Sequence, residues 1–166
     1  MTIIFTEFLD KFARALEQED AAAFAALFND NGTYDDYFYG LFTGPAEIKR
    51  MLTDHFLKDG TAYHWTFQKP VFDGTYGYAS YHFSFLTKSN DWTGPRVLIL
   101  GAARFKFNAG LVISYNDWAD CTGALSTAGR RSDKLVAHAV KWHRQQHIGE
   151  EARRHLRYTA NGKTGS

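Results

Sequence analysis

The spacing of apolar residues changes at His64 from helical to strand-like, and this change most limits the folds open to the chain. Before it, apolar residues recur on one face of a first helical segment; these are Phe5, Phe8, Leu9, Phe12 and Leu16. After it, turn residues separate four aromatic-rich segments, residues 64–72, 76–87, 96–107 and 111–121. Helices followed by a meander of long strands predict an α+β domain. We expect a curved antiparallel or mixed sheet that wraps as a cone around three N-terminal helices.

Capping, turn and proline residues indicate where the other N-terminal helices begin and end. Asp20 is typical of an N-cap and begins a predicted second helix, residues 21–28, which a turn at residues 29–32 closes. A short strand is predicted over residues 33–37. Pro45 lies near the first position of a third predicted helix, which ends at Asp59 and Gly60.

Length and charge predict how the chain is organised. With 166 residues, 45% of them hydrophobic, it has enough apolar surface for one core. We expect a cone domain over residues 1–128, a basic helical extension over 129–158 and a disordered tail over 159–166. Up to Gly129 there are 10 basic and 15 acidic residues, and from Arg130 onward 9 and 3. The acidic body has no nucleic-acid motif, so we expect no nucleic-acid partner.

Several classes of protein are not supported by the sequence. It has neither a secretion signal nor an apolar run long enough to span a bilayer, so we expect a cytoplasmic protein without membrane contact. Cys121 is the single cysteine, which excludes an internal disulfide. No phosphate loop, dinucleotide fingerprint or nucleophile elbow is present, and we expect no cofactor.

One pattern in the basic extension is typical of metal ligands. Ionisable side chains recur there at helical spacing; these are His143, His147, Glu151 and His155. Gly149 interrupts the helix, and the His-Glu-x-x-His sequence is not present. We therefore expect no metal site.

The segment Tyr34-Asp35-Asp36-Tyr37-Phe38-Tyr39 sets two carboxylates among aromatic residues. Tyr34 and Asp36 alternate onto one face of the predicted strand, as Tyr115 and Asp117 do on the last strand. A carboxylate in an aromatic pocket loses hydration, which raises its pKa towards that of a general base, and a phenol can stabilise developing negative charge. If both faces line the cone, these four residues suit proton transfer. Asp35 alternates to the opposite face.

The strand over residues 76–87 has two possible inner faces. A polar set includes His82, whereas an aromatic set includes Tyr81 and Phe83. If the polar set faces inward, His82 joins the site as a proton shuttle; if the aromatic set does, Tyr81 and Phe83 line the pocket.

The order of these motifs resembles the nuclear transport factor 2-like superfamily. The matching segments are Ala-Ala-Ala-Phe-Ala-Ala-Leu-Phe at residues 21–28, Tyr-Asp-Asp at 34–36, Thr-Gly-Pro-Ala-Glu-Ile at 43–48, Leu-Ile-Leu-Gly at 98–101 and residues 113–120. Over residues 5 to about 121, the chain is similar to SnoaL-like polyketide cyclases, ketosteroid isomerases and limonene epoxide hydrolases. The resemblance implies a cone-shaped fold with an open mouth.

The resemblance also implies roles for individual residues. Asp36 falls where ketosteroid isomerases keep the carboxylate that abstracts a proton. Tyr34 matches the tyrosine of the water site of the epoxide hydrolases, and Asp117 matches their general base. The other two members of the hydrolase triad correspond to Tyr81 and Phe83.

The residues that stabilise the oxyanion in ketosteroid isomerases correspond to Phe12 and Ala103. The chain therefore departs from both catalytic sets, although it keeps the carboxylates at residues 36 and 117.

Together, these observations predict a cofactor-independent enzyme that uses carboxylate acid/base catalysis on a mostly apolar small molecule. The reaction class is isomerase, dehydratase (lyase), cyclase or epoxide hydrolase. We expect Asp36, Asp117 and Tyr34 to be catalytic. The expected substrate-binding residues are Tyr115, His82, Tyr81, Phe83, Trp65, His55 and Phe12. The alternative is a non-catalytic ligand-binding or protein-interaction module of the same fold; in either case we expect a homodimer.

Overall fold

The computed structural model describes residues 4–88, 96–127, 131–146 and 149–157. The chain divides into two compact units, Met1–Arg130 and Arg131–Ser166. No helix within the described ranges has the length and apolar character needed to cross a bilayer.

Short helices precede and follow the first strands of unit one. The helices are α1 (Phe5–Glu17), α2 (Ala21–Ala25) and α3 (Gly44–Met51), which continues as a π-helical turn (Leu52–Phe56) and α4 (Leu57–Asp59). The predicted apolar face of α1 is buried, with Phe12 at 0% exposure. Asp20 caps α2 as expected, because its Oδ1 accepts a hydrogen bond from the Ala23 N–H at 2.8 Å.

The strands form one mixed sheet. They are β1 (Phe28–Asp36), β2 (Gly40–Thr43), β3 (Gly60–Phe72), β4 (Tyr76–Thr87), β5 (Val97–Asn108) and β6 (Leu111–Ala119). Their order is β2-β1-β6-β5-β4-β3, and every pair is antiparallel except β1 and β6. The sheet is curved and unclosed, so the predicted α+β fold with helices against a curved sheet is confirmed.

Irregular residues bend β3. Its pairing with β4 shifts register between Thr61 and His64 and again between Gln68 and Val71. Ala62 and Lys69 lie at these shifts with positive φ angles of 52° and 50°. Bulges of this kind increase local bending and twist, which lets the strand curve around α1.

The N-terminal part of the sheet differs from the sequence prediction. Residues 29–32, predicted as a turn, lie within β1, where the pairing with β6 is irregular between Phe28 and Thr33. Gly32 is close to β6, since a Cβ there would lie 2.6 Å from the Val112 carbonyl oxygen. Because β1 already begins at Phe28, α2 is shorter than predicted and ends at Ala25. The sequence also did not predict β2.

Helices follow the sheet. The chain leaves β6 at Ala119 and forms α5 (Cys121–Thr127), which was not predicted. The second unit contains α6 (Ser132–Gln146) and α7 (Glu150–Leu156). Gly149 is the N-cap of α7, so the interruption expected there is present. The predicted disordered tail, residues 159–166, lies outside the described residues.

Candidate active site

One end of the curved sheet encloses a cavity in the first unit. It contains about 550 Å³ of empty space, including its open mouth. Its lining residues come from the strands, the turn after β1, the π-helical turn, α4 and the start of α5. They are Tyr34, Asp36, Tyr37, Phe38, Tyr39, Phe56, Asp59, Tyr63, Trp65, Tyr81, Phe83, Phe85, Ile99, Asp117 and Cys121.

The parallel pairing of β1 with β6 brings the two predicted acidic motifs together. Tyr34 pairs with Tyr115 and Asp35 with Asn116, so the next residues in register are Asp36 and Asp117. Both of these aspartates line the cavity. Asp35 alternates to the other face, where its Oδ2 accepts a hydrogen bond from the Asn116 amide at 3.2 Å.

Phenolic hydroxyls hold one oxygen of the Asp117 carboxylate. Its Oδ2 accepts hydrogen bonds from the hydroxyls of Tyr81 at 2.8 Å and Tyr115 at 3.4 Å. Its Oδ1 is buried and has no hydrogen-bond partner in the described part of the chain. Burial and, to a smaller extent, the nearby charge of Asp36 raise the pKa of Asp117 to about 7. The two phenolic hydrogen bonds lower it, but by less. Asp117 can therefore both accept and return a proton near neutral pH.

Small residues on β5 give Tyr81 access to Asp117. Tyr81 on β4 pairs with Gly101 on β5, and Asp117 on β6 pairs with Ala103. A Cβ on Gly101 would lie 2.5 Å from the Tyr81 hydroxyl oxygen and 2.7 Å from the Trp118 carbonyl oxygen. Glycine at this position leaves room for the phenol to cross β5 and donate to the carboxylate.

Asp36 has a different set of partners. Its Oδ1 accepts hydrogen bonds from the backbone N–H groups of Phe38 at 2.7 Å and Tyr39 at 2.8 Å. The carboxylate thus fixes the turn between β1 and β2. Asp36 is only 9% exposed, and its burial raises its pKa to about 6, although the two backbone hydrogen bonds oppose the rise.

Tyr34 and Tyr115 form a stacked pair beside the carboxylates. Their ring centroids are 4.4 Å apart, and their exposures are 2% and 0%. Burial raises the pKa of both phenols well above its usual value, and nearby carboxylate charges, including those of Asp36 and Asp117, raise it further. Both phenols therefore stay protonated and can donate hydrogen bonds. Tyr34 lines the cavity, whereas Tyr115 lies behind it as a donor to Asp117.

The structure distinguishes the two alternative faces of β4. Tyr81 and Phe83 are buried and line the cavity together with Trp65 on β3. His82 lies on the outer face, where its Nδ1 is 3.2 Å from the Gln68 side-chain nitrogen. The aromatic set faces inward because it packs against the core, so His82 is not placed to act as a proton shuttle.

Two other predicted binding residues lie outside the cavity wall. Phe12 is part of the core, where its ring packs against those of Phe24 and Phe105, and it does not reach the cavity. His55 is one layer further out, since its ring stacks on Tyr39 at 4.8 Å and Tyr39 lines the cavity. His55 can therefore support the wall without touching a ligand there.

Four further lining residues, Tyr39, Asp59, Tyr63 and Phe56, were not predicted as site residues from the sequence. The Tyr39 hydroxyl donates to Asp59 Oδ2 at 2.9 Å, and the Tyr63 hydroxyl donates to the Phe56 carbonyl. Tyr39 belongs to the aromatic run after Asp36, which was the available signal. For Asp59 the sequence indicates only the end of a helix. Cys121 also lines the cavity, and burial raises the pKa of its thiol, which keeps it protonated.

The histidine-rich pattern of the second unit is only partly described. His147 lies outside the described residues, as does the side chain of Glu151. Among the residues that the structure does describe, no group of three or more His, Cys, Asp or Glu side chains is placed to hold a metal ion.

Comparisons with known proteins agree with this fold. The profile of the SnoaL-like domain family matches residues 9–115. A search of curated proteins finds no match. A hypothetical protein from Catenulispora acidiphila with a ketosteroid isomerase-like fold, in complex with trimethylamine, has a TM-score of 0.68 at 20% identity, over 76% of this chain and 95% of that one.

Two further solved structures are similar. An epoxide hydrolase from M. tuberculosis, of the limonene epoxide hydrolase-like type, has a TM-score of 0.61 at 16% identity, over 79% of this chain and 93% of that one. A protein from Shewanella putrefaciens, described as a SnoaL-like polyketide cyclase, has a TM-score of 0.62 at 16% identity, over 74% of this chain and 93% of that one. At these identities the likeness shows the nuclear transport factor 2-like fold.

Proposed function

Because the chain belongs to the SnoaL-like domain family, we propose that it is a cofactor-independent enzyme that transfers a proton within a small, mostly apolar molecule. The observation that carries this proposal is the buried carboxylate of Asp117. It lines an aromatic cavity, one of its oxygens accepts two phenolic hydrogen bonds, and its pKa is about 7. These are the properties that a general base needs near neutral pH.

The other polar groups supply the remaining roles. Asp117 takes a proton from the substrate and returns it elsewhere on the same molecule. Tyr34 donates a hydrogen bond to the negative charge that develops when the proton leaves. Asp36 fixes the aromatic turn and, as a second carboxylate, helps keep Asp117 partly protonated. Isomerisation and cyclisation fit these roles directly. In dehydration the proton is returned to the leaving hydroxyl, and in water addition Asp117 takes the proton from the attacking water instead; none of these reactions needs a redox step.

Unpartnered groups in the wall also support a bound substrate. Asp117 Oδ1 and Trp65 Nε1 are buried without hydrogen-bond partners in the described residues, and both residues line the cavity. Such groups are uncommon in folded proteins and are often found at functional sites. The Catenulispora protein is in complex with trimethylamine, so a small amine is one ligand class to test on this chain.

The test is incorporation of solvent deuterium. Candidate ketones, including hydroxy and amino ketones, are incubated with the protein in heavy water, and mass spectrometry detects exchange at the acidic carbon. We expect Asp117→Asn to lower the exchange rate by about two to four orders of magnitude. Asp35→Asn is the matched control, because Asp35 faces away and its charge is the smallest of the effects on the pKa of Asp117, so exchange should change little. Full exchange by Asp117→Asn would refute the assignment.

A non-catalytic ligand-binding or protein-interaction module is the second candidate. The observation that favours it is Asp36, whose carboxylate already serves the backbone of the turn. In that case ligands bind in the cavity and no deuterium enters them, whether or not Asp117 is present.

We also propose that the protein is a homodimer through the outer face of the sheet. Leu98 and Leu100 on β5 are 52% and 50% exposed, and Trp118 on β6 is 42% exposed. Strand alternation places these side chains on the face opposite the cavity. A second copy would remove this apolar surface from water.

A further inference from the structure

The cavity wall combines acidic and aromatic side chains. Among its described lining residues there are three aspartates, Asp36, Asp59 and Asp117, and no lysine, arginine or histidine. Asp36 lies close enough to Asp117 for its charge to raise the pKa of the Asp117 carboxyl. Buried carboxylates are ordinarily paired with a positive charge. Here the described residues do not supply it.

Aromatic side chains make up most of the rest of the cavity lining, and the faces of aromatic rings attract cations. The rings form a connected series, with centroid distances of 4.9 Å between Trp65 and Phe83, 5.8 Å between Phe83 and Tyr63, 6.2 Å between Tyr63 and Phe56, and 5.3 Å between Phe56 and Tyr39. An ammonium group held against such rings gains cation–π attraction, which is stronger where water is excluded.

We infer that the ligand of this cavity is an apolar molecule carrying a cationic amine, whose ammonium group lies between the aromatic wall and the carboxylates of Asp36 and Asp117. This inference rests on the proposed function, because it assigns the substrate class of the same site. A neutral hydrocarbon would fill the apolar wall but supply no counter-charge to either carboxyl in its ionised form. An anionic ligand would be repelled by them.

The two carboxylates have different roles in this arrangement. Asp36 Oδ1 is used by the turn, so Oδ2 is the oxygen left to face an ammonium group. The same turn carries Tyr39, so the residue that binds the charge also fixes part of the aromatic wall. Asp117, held by Tyr81, keeps the proton-transfer role.

The experiment compares three probes of nearly equal shape. Choline carries a trimethylammonium group, neohexyl alcohol is its neutral carbon isostere, and the tert-butylacetate anion reverses the charge. Binding to the full-length protein is measured by isothermal titration calorimetry. We expect choline to bind at least about tenfold more tightly than the neutral isostere, with the anion weakest. Tetramethylammonium and benzyltrimethylammonium extend the series to smaller and larger cations.

A pair of variants locates the bound charge. Asp36→Asn keeps an amide oxygen that can accept from the turn but removes the negative charge, and it should weaken choline binding about tenfold or more while changing the neutral isostere little. Asp35→Asn removes the same charge from the adjacent residue on the opposite face and should leave binding near the wild-type value. Circular dichroism confirms that both variants are folded.

Three results would overturn the inference. In the first, the neutral isostere binds as tightly as choline. In the second, none of the three cations binds at millimolar concentration. In the third, Asp36→Asn binds choline as tightly as the wild type does.

Deuterium incorporation distinguishes failure of this inference from failure of the proposed function. If exchange depends on Asp117 but cations do not bind more tightly than the neutral isostere, only the assignment of a cationic amine as the ligand is refuted. If cations bind through Asp36 but no exchange occurs, proton transfer is refuted and the binding site remains.

Discussion

Replacing Asp117 by Asn should make the stability of the protein less dependent on pH. The pKa of this carboxyl is about 7 in the folded protein and 3.8 without the protein environment. At pH values between these two pKa values, the folded state binds more protons than the unfolded state. The free energy of unfolding of the protein therefore falls as pH rises. The stabilisation is fully present below the unfolded pKa and is lost as pH passes through the folded pKa.

The size of the effect follows from this shift. Integrated from about pH 5 to about pH 8, Asp117 lowers the free energy of unfolding by roughly 2–3 kcal/mol. Asparagine cannot ionise, so Asp117→Asn should lose this contribution. Asp36, whose folded pKa is raised to about 6, still contributes roughly 1–1.5 kcal/mol of the same sign in the variant.

Urea unfolding measures the effect directly. Curves are recorded for the wild type, Asp117→Asn and the control Asp35→Asn at several pH values, with tryptophan fluorescence reporting on the buried Trp65. For each protein we take the change in the free energy of unfolding between low and high pH. The difference between two proteins isolates the substituted residue, because the contributions of the ionisable groups that they share cancel. Equal pH dependence in the wild type and Asp117→Asn, within roughly 0.5 kcal/mol, would refute the burial of an ionisable Asp117.

Three other changes test separate parts of the account. Tyr81→Phe removes the 2.8 Å hydrogen bond to Asp117, which should raise the pKa of that carboxyl further; a lower or unchanged value in a carbon-13 titration would contradict this. Gly101→Ala places a Cβ 2.5 Å from the Tyr81 hydroxyl oxygen and should destabilise the protein by about 1–3 kcal/mol in urea, whereas an unchanged midpoint would contradict the close approach. Leu100→Glu should convert the proposed dimer to a monomer in light scattering, and a wild-type that is already monomeric would refute that interface.

The sequence predicted the main residues of the site but not their arrangement. Alternation placed Tyr34 with Asp36 and Tyr115 with Asp117 on common faces, because a period of two depends only on local backbone geometry. The parallel pairing that joins the two strands depends on register between residues distant in sequence, which no local pattern encodes. The resemblance implied a cone-shaped fold with an open mouth, but this pairing was not predicted.

The corrections for His82, Phe12 and residues 29–32 have a common physical reason, since tertiary packing overrides the local sequence pattern. Both faces of β4 alternate equally well, and only packing against the core decides that Tyr81 rather than His82 faces inward. Phe12 has the same apolar character as a pocket residue, but its position in the middle of α1 sets it in the core. Likewise, residues 29–32 have the composition of a turn, yet tertiary pairing with β6 holds them in an irregular strand.

The central claim is that Asp117 is a buried carboxyl group that gains and loses a proton near neutral pH. A carbon-13 NMR titration of aspartate-labelled protein measures this directly, and Asp117→Asn assigns the resonance. We predict one carboxyl resonance that titrates near pH 7 and is missing from the variant. If every aspartate titrates near its ordinary value of about 4, Asp117 is a fully ionised surface-like carboxylate, and the proposed acid/base role is contradicted.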